Sequence, residues 1–490
     1  MEKKYLQYED FGAIGDGVHD DFPSIIACHE EANRTGTPVK ARDGARYYIG
    51  GSQNSAIIRT DVDFGTATVI IDDRAVEKND SYVFRIMPDY ERYEIKLGSL
   101  GRGDRRVDFE HEGNAIVTVF NDNSRVYIRK GLNSNSGVAA TEVFTVDRDG
   151  NIGEPLNRDY PTVTRAYARR IDDTPITVRG GKFITVANRQ ESLYRYLQRG
   201  FEVVRAHVTM CDFEHYVEGE LDHGAPYHGF IRSNGCVDLT VRDAIMTPRF
   251  IYWTESTVPG TPVRMGSYDL SFWSSIGVRC INIKQSIDIY DDKYWGIYTS
   301  NFCKNLIIED CVLSRFDAHM GVTNATIRRC KLGHQAARLI GNGEFLMEDT
   351  EIFTKPDDYF RDFLYLRADY GSSFDGNITI RNCVWHTTAK DARVIGSLND
   401  GDHDYGYPCY MGRNIVIDGL RIINGKNTPK ENTQITLFAR CDGALSDRSY
   451  PYILPQTVTY GGITFENGAE FRISPSPENF ARVKITKKEN

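Results

Sequence analysis

Four short strings in the second half of the chain carry side chains able to do acid–base chemistry at matching places. They read Asp292-Lys293-Tyr294-Trp295-Gly296, Asp317-Ala318-His319-Met320-Gly321, Ala336-Ala337-Arg338-Leu339-Ile340 and Asp391-Ala392-Arg393-Val394-Ile395. Taken as strands with Trp295, Met320, Leu339 and Val394 inward, they turn their alternate positions to solvent. One outward column then holds Tyr294, His319, Arg338 and Arg393, and the column before it holds Asp292, Asp317, Ala336 and Asp391. Stacked as neighbouring strands roughly 4.8 Å apart, Asp292 and Asp317 are too close to ionise freely together, which predicts one raised pKa. A carboxyl pair split in this way divides the acid role from the base or nucleophile role in cleaving a glycosidic bond. His319 and Arg338 are then placed to hydrogen-bond a sugar or to hold the carboxylates charged. Lys293, Arg338, Arg393 and Arg315 would instead supply the cations that β-elimination on a uronate needs beside its base.

Those strings need a repeating scaffold, and the sequence contains one. The pattern reads LTVRDA at 239–244, INIKQS at 281–286, LIIEDC at 306–311, ATIRRC at 325–330, FLMEDT at 345–350, ITIRNC at 378–383 and IVIDGL at 415–420. Weaker copies are FEVVRA at 201–206 and ITFENG at 463–468. Period-two alternation makes each copy a strand with one face inward. Some nineteen or twenty residues separate Cys311, Cys330 and Thr350, which leaves no room for helical crossovers. This predicts an all-β solenoid, a single-stranded parallel β-helix with loops inserted at chosen corners. The recurring small last residue (Ala244, Ser286, Cys311, Cys330, Thr350, Cys383) predicts an interior ladder where a larger side chain would be overpacked. Two inserted loops, 247–267 with Tyr252 and Trp253, and 398–411 with His403, Tyr405, Tyr407 and Tyr410, read as cleft walls whose rings stack on sugars.

Composition bounds the rest. At about 150 residues per domain, 490 residues suggest roughly three domains, but the repeat argues for one solenoid. Its expected parts are a cap helix and first coils over 1–70, an inserted antiparallel β subdomain over 71–175, and the main solenoid with a closing segment over 176–490. A chain 40% hydrophobic and 26% charged is not disordered. No apolar run reaches the roughly 20 residues of a membrane helix. A net charge of −9 argues against nucleic acid as a partner. The N-terminus lacks an apolar signal region, so the expectation is a cytoplasmic chain as sequenced, or a secreted or virion-attached one if it is processed or partial. Ten cysteines without a CxxC or zinc spacing predict buried thiols and no metal site.

The opening carries more. Residues 11–21, FGAIGDGVHDD, precede a segment that reads as an amphipathic helix over 23–36. Ile25, Ile26, Cys28 and Ala32 lie on one face, Asp20 or Asp21 is at the cap, and Pro23 is in the first turn. This opening resembles the start of the pectin-lyase-like right-handed β-helix proteins, a superfamily of polygalacturonase-type glycoside hydrolases, polysaccharide lyases and phage tailspikes. The resemblance implies a right-handed coil, a helix covering the end of the sheet stack, and an oligo- or polysaccharide partner. It also allows a homo-oligomer. It implies no resident cofactor, with Ca²⁺ at Asp291-Asp292 or Asp357-Asp358 only in the lyase case. CVLSRFDAHMGV at 311–322 is similar in spacing to the polygalacturonase coil that carries the proton donor, a role this assigns to Asp317. Gly333-His334-Gln335 resembles that family's Gly-His-Gly coil, which makes His334 a substrate-binding residue. Two carboxylates of the family pattern are replaced, one by Ala318 and one in the string before Gly296-Ile297. The expected function is therefore a glycoside hydrolase with Asp317 as donor and Asp292 as partner. The alternatives are a uronate lyase and a non-catalytic, tailspike-like glycan binder.

Overall fold

The computed structural model describes residues 5–77, 81–131, 135–192, 195–256, 258–355, 361–399, 401–439 and 452–488. From Val62–Asp72 onward the chain returns to one column of parallel strands. It passes through Ile176–Val186, Val208–Glu218, Leu239–Met246, Arg279–Gln285, Tyr298–Glu309 and Phe316–Arg328. It continues through Gly341–Glu348, Phe374–His386 and Asn414–Ile423 to Thr457–Phe465. The rungs bend at one residue with positive φ, such as Asp212, Asp243, Asn282, Asp310, Asp349 and Asn382, and Gly419 and Gly462 take the place at the C-terminal end. Asn, Asp and Gly tolerate this left-handed conformation better than other residues do. That is why a polar residue interrupts every copy of the repeat.

Two copies sit differently from the sequence alignment. Ala244 pairs with Ile283, so the copy in register is 278–283 and Ser286 is not part of the interior ladder. FEVVRA belongs to another column, since Phe201–Val203 pairs with Ile231–Asn234; the rung that pairs with Leu239 begins at Val208. The ladder itself holds Ala244, Cys311, Cys330, Thr350 and Cys383, all buried, but Ile283 and Leu420 stand in the same line, so it is small without a break only over its middle rungs. All nine described cysteines are free and buried.

The second column is shorter per rung and positions the outward chemistry. It runs Phe84–Ile86, Phe201–Val203, Ile231–Asn234 and Leu270–Trp273, then the first residues of Tyr298–Glu309 and Phe316–Arg328. Ala337–Leu339, Asp362–Leu366 and Arg393–Gly396 follow. Its inward residues, including Phe201, Ile231, Leu270, Phe316, Ala337 and Leu364, join one continuous core. Aromatic rings of successive rungs meet within that core, Phe84 and Phe201 stacked at 4.7 Å and Phe201 and Phe230 edge to face at 5.6 Å.

At the N-terminus the helix Phe22–Thr35 buries Phe22, Ile25, Cys28, His29 and Ala32 against the first coils, and Ile26 packs at the edge. Asp20 caps it by accepting the Phe22 N–H at 3.1 Å. Asp21 instead turns back to accept the Ile14 N–H at 2.6 Å and the Gly15 N–H at 3.2 Å, locking the glycine-rich opening onto the helix start. Gly36, with φ of 67°, ends the helix.

The chain leaves the solenoid after Ile86, later than the boundary expected at 70, because Phe84–Ile86 still pairs with its neighbouring rungs. It then builds an antiparallel sheet in the order Tyr93–Ile95, Arg165–Arg170, Ala115–Val126, Val138–Val146. This insert packs its own core, with Val117, Val119 and Phe144, onto Met320, Ile340 and Tyr370 of the solenoid. A buried ion pair, Lys304 Nζ to Glu142 Oε1 at 2.7 Å, and a Lys304 bond to the Pro155 carbonyl at 2.9 Å fasten it there. Among the described residues no helix is long and apolar enough to cross a membrane.

Candidate functional site

The strand beginning at Phe316 alternates cleanly at first. Phe316 and Ala318 point into the core, which turns Asp317 outward. A register shift between Ser300 and Asn301 then breaks the alternation, so His319 and Met320 both leave the core and Met320 joins the insert's cluster. Asp317 lies opposite Arg338 of the next rung and one place before the Ser300–Ala318 pair, which puts Thr299 beside it. A cleft of about 860 Å³ opens over these residues. Its floor is the outward face of the short column. The hairpin Ile251–Glu255 and Pro262–Gly266 forms one wall, and Arg129 and Lys130 of the insert form another.

Asp317 is 1% exposed and held by two guanidiniums: Arg367 Nη1 reaches Oδ1 at 2.5 Å and Arg315 Nη2 reaches Oδ2 at 2.9 Å. Burial pushes its pKa up, but Arg367, Arg315 and Arg338 outweigh burial and hold the carboxyl well below the ordinary range. The expected pair is therefore absent. Asp292 sits on a loop, 63% exposed, with Lys355 Nζ at 3.5 Å, and contributes only to the cleft rim. The sequence alignment placed it on the rung that Thr299 occupies, and the raised pKa it implied for the pair does not arise at Asp317.

A second carboxylate does stand nearby. Asp369 binds Arg367 at 2.9 Å and Arg129 at 2.9 Å. Burial raises its pKa, yet Arg367 and Arg129 bring it down to about 2. Gln335 accepts from Arg315 at 2.9 Å and from Arg338 at 2.8 Å, tying two guanidiniums together. Burial, followed by repulsion from Arg315, lowers the Arg338 pKa to about 9. Arg315 also lies over the rings of Trp295 at 4.6 Å and Tyr268 at 5.1 Å. Trp295 is thus a half-buried cleft residue and not an inward one.

His319 is half-buried at the cleft. Its Nδ1 donates to Asn301 Oδ1 at 3.0 Å, which leaves Nε2 unprotonated in the neutral ring, where it accepts the Tyr370 hydroxyl at 3.5 Å until a substrate takes that place. Burial and then Arg367 push its pKa down to about 3. His334 is buried in the cleft lining and donates its backbone N–H to the Ile289 carbonyl at 3.2 Å.

The remaining expected site residues lie elsewhere. Arg393 pairs with Asp362 at 2.5 Å, three positions off the Asp317–Arg338–Tyr365 line and outside the cleft lining. Lys293 is exposed in a turn capped by Asp291, and Tyr294 stacks on Phe250 at 5.0 Å; neither lines the cleft. Trp253 is 61% exposed on the hairpin wall, under Arg264 at 5.8 Å, while its hairpin neighbours face the cleft. The loop 398–411 is no wall: Tyr405 is buried, and Tyr407 donates to the Tyr370 carbonyl at 2.6 Å and packs on Tyr127 of the insert. Among the described residues no three His, Cys, Asp or Glu side chains converge as metal ligands, and Asp357-Asp358 lies outside those residues.

Sequence reasoning missed Arg367, Asp369, Arg129, Lys130 and Tyr268. Arg367 and Asp369 follow the DFLYL rung, whose alternation was readable but whose register was not. Arg129 and Lys130 come from the insert, where no repeat points to the cleft. Together the lining holds Arg129, Lys130, Arg264, Arg338 and Arg367 against Asp292, Asp317 and Asp369, a positive surplus on a chain of net charge −9.

No protein-family model and no curated protein matches the chain. Solved structures do. The tailspike of Pseudomonas phage phi297 aligns over 99% of this chain and 84% of its own, with a TM-score of 0.60 at 12% identity. The tailspike of Pseudomonas phage LKA1 aligns over 96% and 78%, with a TM-score of 0.58 at 14% identity. The tailspike of Acinetobacter baumannii bacteriophage AP22, solved with a capsular saccharide, aligns over 99% and 79%, with a TM-score of 0.51 at 7% identity. At such identities the likeness is one of fold. It is the parallel β-helix, in agreement with the pectin-lyase-like resemblance of the opening residues.

Proposed function

We propose that this protein is a virion-attached or secreted β-helix protein that binds an anionic polysaccharide in the cleft over Asp317 and cleaves it by β-elimination. The observation that carries this reading is the positive surplus lining the cleft of an acidic chain. Arg338, Arg129 and Lys130 are placed to neutralise a uronate carboxylate, which acidifies the neighbouring C5–H. His319, neutral and with Nε2 unprotonated, takes that proton; the C4–O bond breaks, a C4=C5 double bond forms, and the departing oxygen is reprotonated from solvent. Burial first and Arg367 second hold the His319 ring neutral, and a bound anionic sugar opposes the Arg367 contribution.

Hydrolysis by an acid–base pair fits less well. It needs one carboxyl protonated at working pH, and both Asp317 and Asp369 are held ionised by guanidiniums. The test is digestion of polygalacturonate, alginate and hyaluronate beside neutral glucans and mannans. The expected product carries the ultraviolet absorbance of an unsaturated uronate and is lost in His319→Gln with binding kept. New reducing ends without that absorbance would overturn elimination. Tight binding with no product would leave a pure binder, and a preference for neutral polymers would remove the anionic reading.

A further inference from the structure

A second cavity, of about 540 Å³, lies where the insert's antiparallel sheet meets the short column, and it shares Trp273 with the cleft. Trp273 pairs with Asn301, the residue that orients His319, so the two cavities adjoin at the rung next to the base. Glu202, on the far side of this cavity, is four rungs from Asp317 through Arg232, Ser271 and Thr299. That is about 19 Å at roughly 4.8 Å per rung, the span of several sugar units.

The cavity has the chemistry of a sugar-acid site. The Arg92 guanidinium covers the Tyr167 ring at 4.4 Å and Arg165 covers Phe120 at 4.3 Å. Tyr167 and Phe120 meet edge to face at 6.2 Å. Rings and the planar guanidiniums over them together make a flat, half-buried lining for a sugar acid, Arg165 being also paired with Asp122 at 2.7 Å. In all, five arginines and two glutamates line the space. On the solenoid side, Phe302 adopts φ of 54°, a conformation a bulky residue rarely takes, and its ring lies 6.3 Å from Trp273 and 5.5 Å from Tyr127 of the insert. Both walls therefore turn rings toward one space.

We propose that this cavity is a distal subsite for the same anionic polysaccharide chain, with Trp273 as the step between it and the cleft, so that the insert reads chain length. The proposal rests on the anionic-glycan reading of the cleft. Its test measures binding and turnover of polygalacturonate, alginate and hyaluronate, each as polymer and as tetrasaccharide, in the parent, in the double variant Arg92→Gln/Tyr167→Ala, and in the cleft variant Arg338→Gln. The expected result is that the double variant weakens polymer binding about tenfold with tetrasaccharide turnover unchanged, while Arg338→Gln keeps residual polymer binding and loses turnover. Equal polymer affinity in parent and double variant overturns the subsite and leaves the cleft reading intact. If the parent binds none of the three acidic polymers, both are overturned together. The single variant Arg92→Gln, which alters only an exposed side chain, guards against a folding defect: it must show the same selective loss in smaller degree, and equal polymer affinity in this variant also overturns the subsite.

Discussion

Two ladders climb this solenoid on the same translation, and they could hardly differ more. Inside, Cys311, Cys330, Thr350 and Cys383 stack as small, dry side chains, and burial pushes the Cys383 thiol up to about 12. Outside, Arg315, Arg338 and Arg367 approach one another around Asp317, each from a different coil. The inner ladder needs a size matched at every rung, small from Cys311 to Cys383 and larger at Ile283 and Leu420 on either side, because one enlarged side chain is felt by its neighbours above and below. The outer cluster repeats arginine at three coils and is held by what breaks the repeat, since the like charges are tolerable only with Asp317 and Gln335 between them. Repetition therefore encodes packing, and chemistry collects where repetition lapses: at the register shift that turns out His319, and after the Asp362–Leu366 rung, where Arg367 and Asp369 reach the cleft.

The sharpest way to break this contrast is at the outer ladder. His319→Gln should lower turnover about 10²–10⁴-fold, the usual scale for a general base, with binding of acidic polymer and the melting temperature near the parent's. Retained turnover would move the chemistry away from the strand Phe316–Arg328. Next in size, Asp317→Leu should cost about 3–5 kcal/mol, since it leaves guanidiniums buried without their counter-ion. Chemical denaturation measures it, and a neutral result would show that Asp317 is not the keystone of the arginines.

Acid should act on the same cluster. His319 titrates at about 3 in the folded chain against an ordinary 6.5, so between those values the unfolded chain binds more protons. The stability present above pH 6.5 is then lost progressively as the pH falls, and Asp369, at about 2 folded, adds to the loss below the ordinary carboxylate range. Melting temperature followed against pH should slope downward on the acid side, and the slope should flatten in His319→Gln. The acid limb of kcat/KM should lie near pH 3, not near 6.5.

The inner ladder should respond to size and not to charge. Cys330→Leu should cost about 1–3 kcal/mol by overpacking between Cys311 and Thr350, while Cys330→Ala should cost less; the reverse order would deny a tightly packed column. The smallest effect is expected at the rim, where Asp292→Asn should stay within about 0.5 kcal/mol of the parent and keep its turnover. A large loss there would restore the carboxyl pair that the sequence alone suggested.

What the sequence made legible follows the same division. Alternation and the short spacing at 311, 330 and 350 were enough for a parallel all-β coil, because inward residues obey one rule at every rung. The opening Asp20 and Asp21 were readable as helix-start residues, although Asp21 spends its carboxylate on the backbone of Ile14 and Gly15. Register across loops of unequal length was not readable. Asp292 was matched to Asp317 seven residues from the Thr299 that truly neighbours it, and Arg393 was matched to Arg338 although it pairs with Asp362. A column of outward side chains carries no hydrophobic signal to fix its phase. The contribution of Arg129 is a meeting of two units that no local pattern announces.

The insert has one last consequence. It leaves after Ile86 and the chain rejoins at Ile176, on strands that belong to adjoining rungs, so the solenoid continues as though uninterrupted. A segment bounded in this way is a cassette: descendants can trade it for another and alter the wall it gives the cleft, while the coils beneath keep their register. Such a trade leaves debts in the coil: the buried Lys304 ammonium and the buried Arg205 guanidinium must find new acids wherever Glu142 and Asp172 are lost, and Asp369 loses Arg129. Variation, in such a lineage, would be written in the cassette and endurance in the coil.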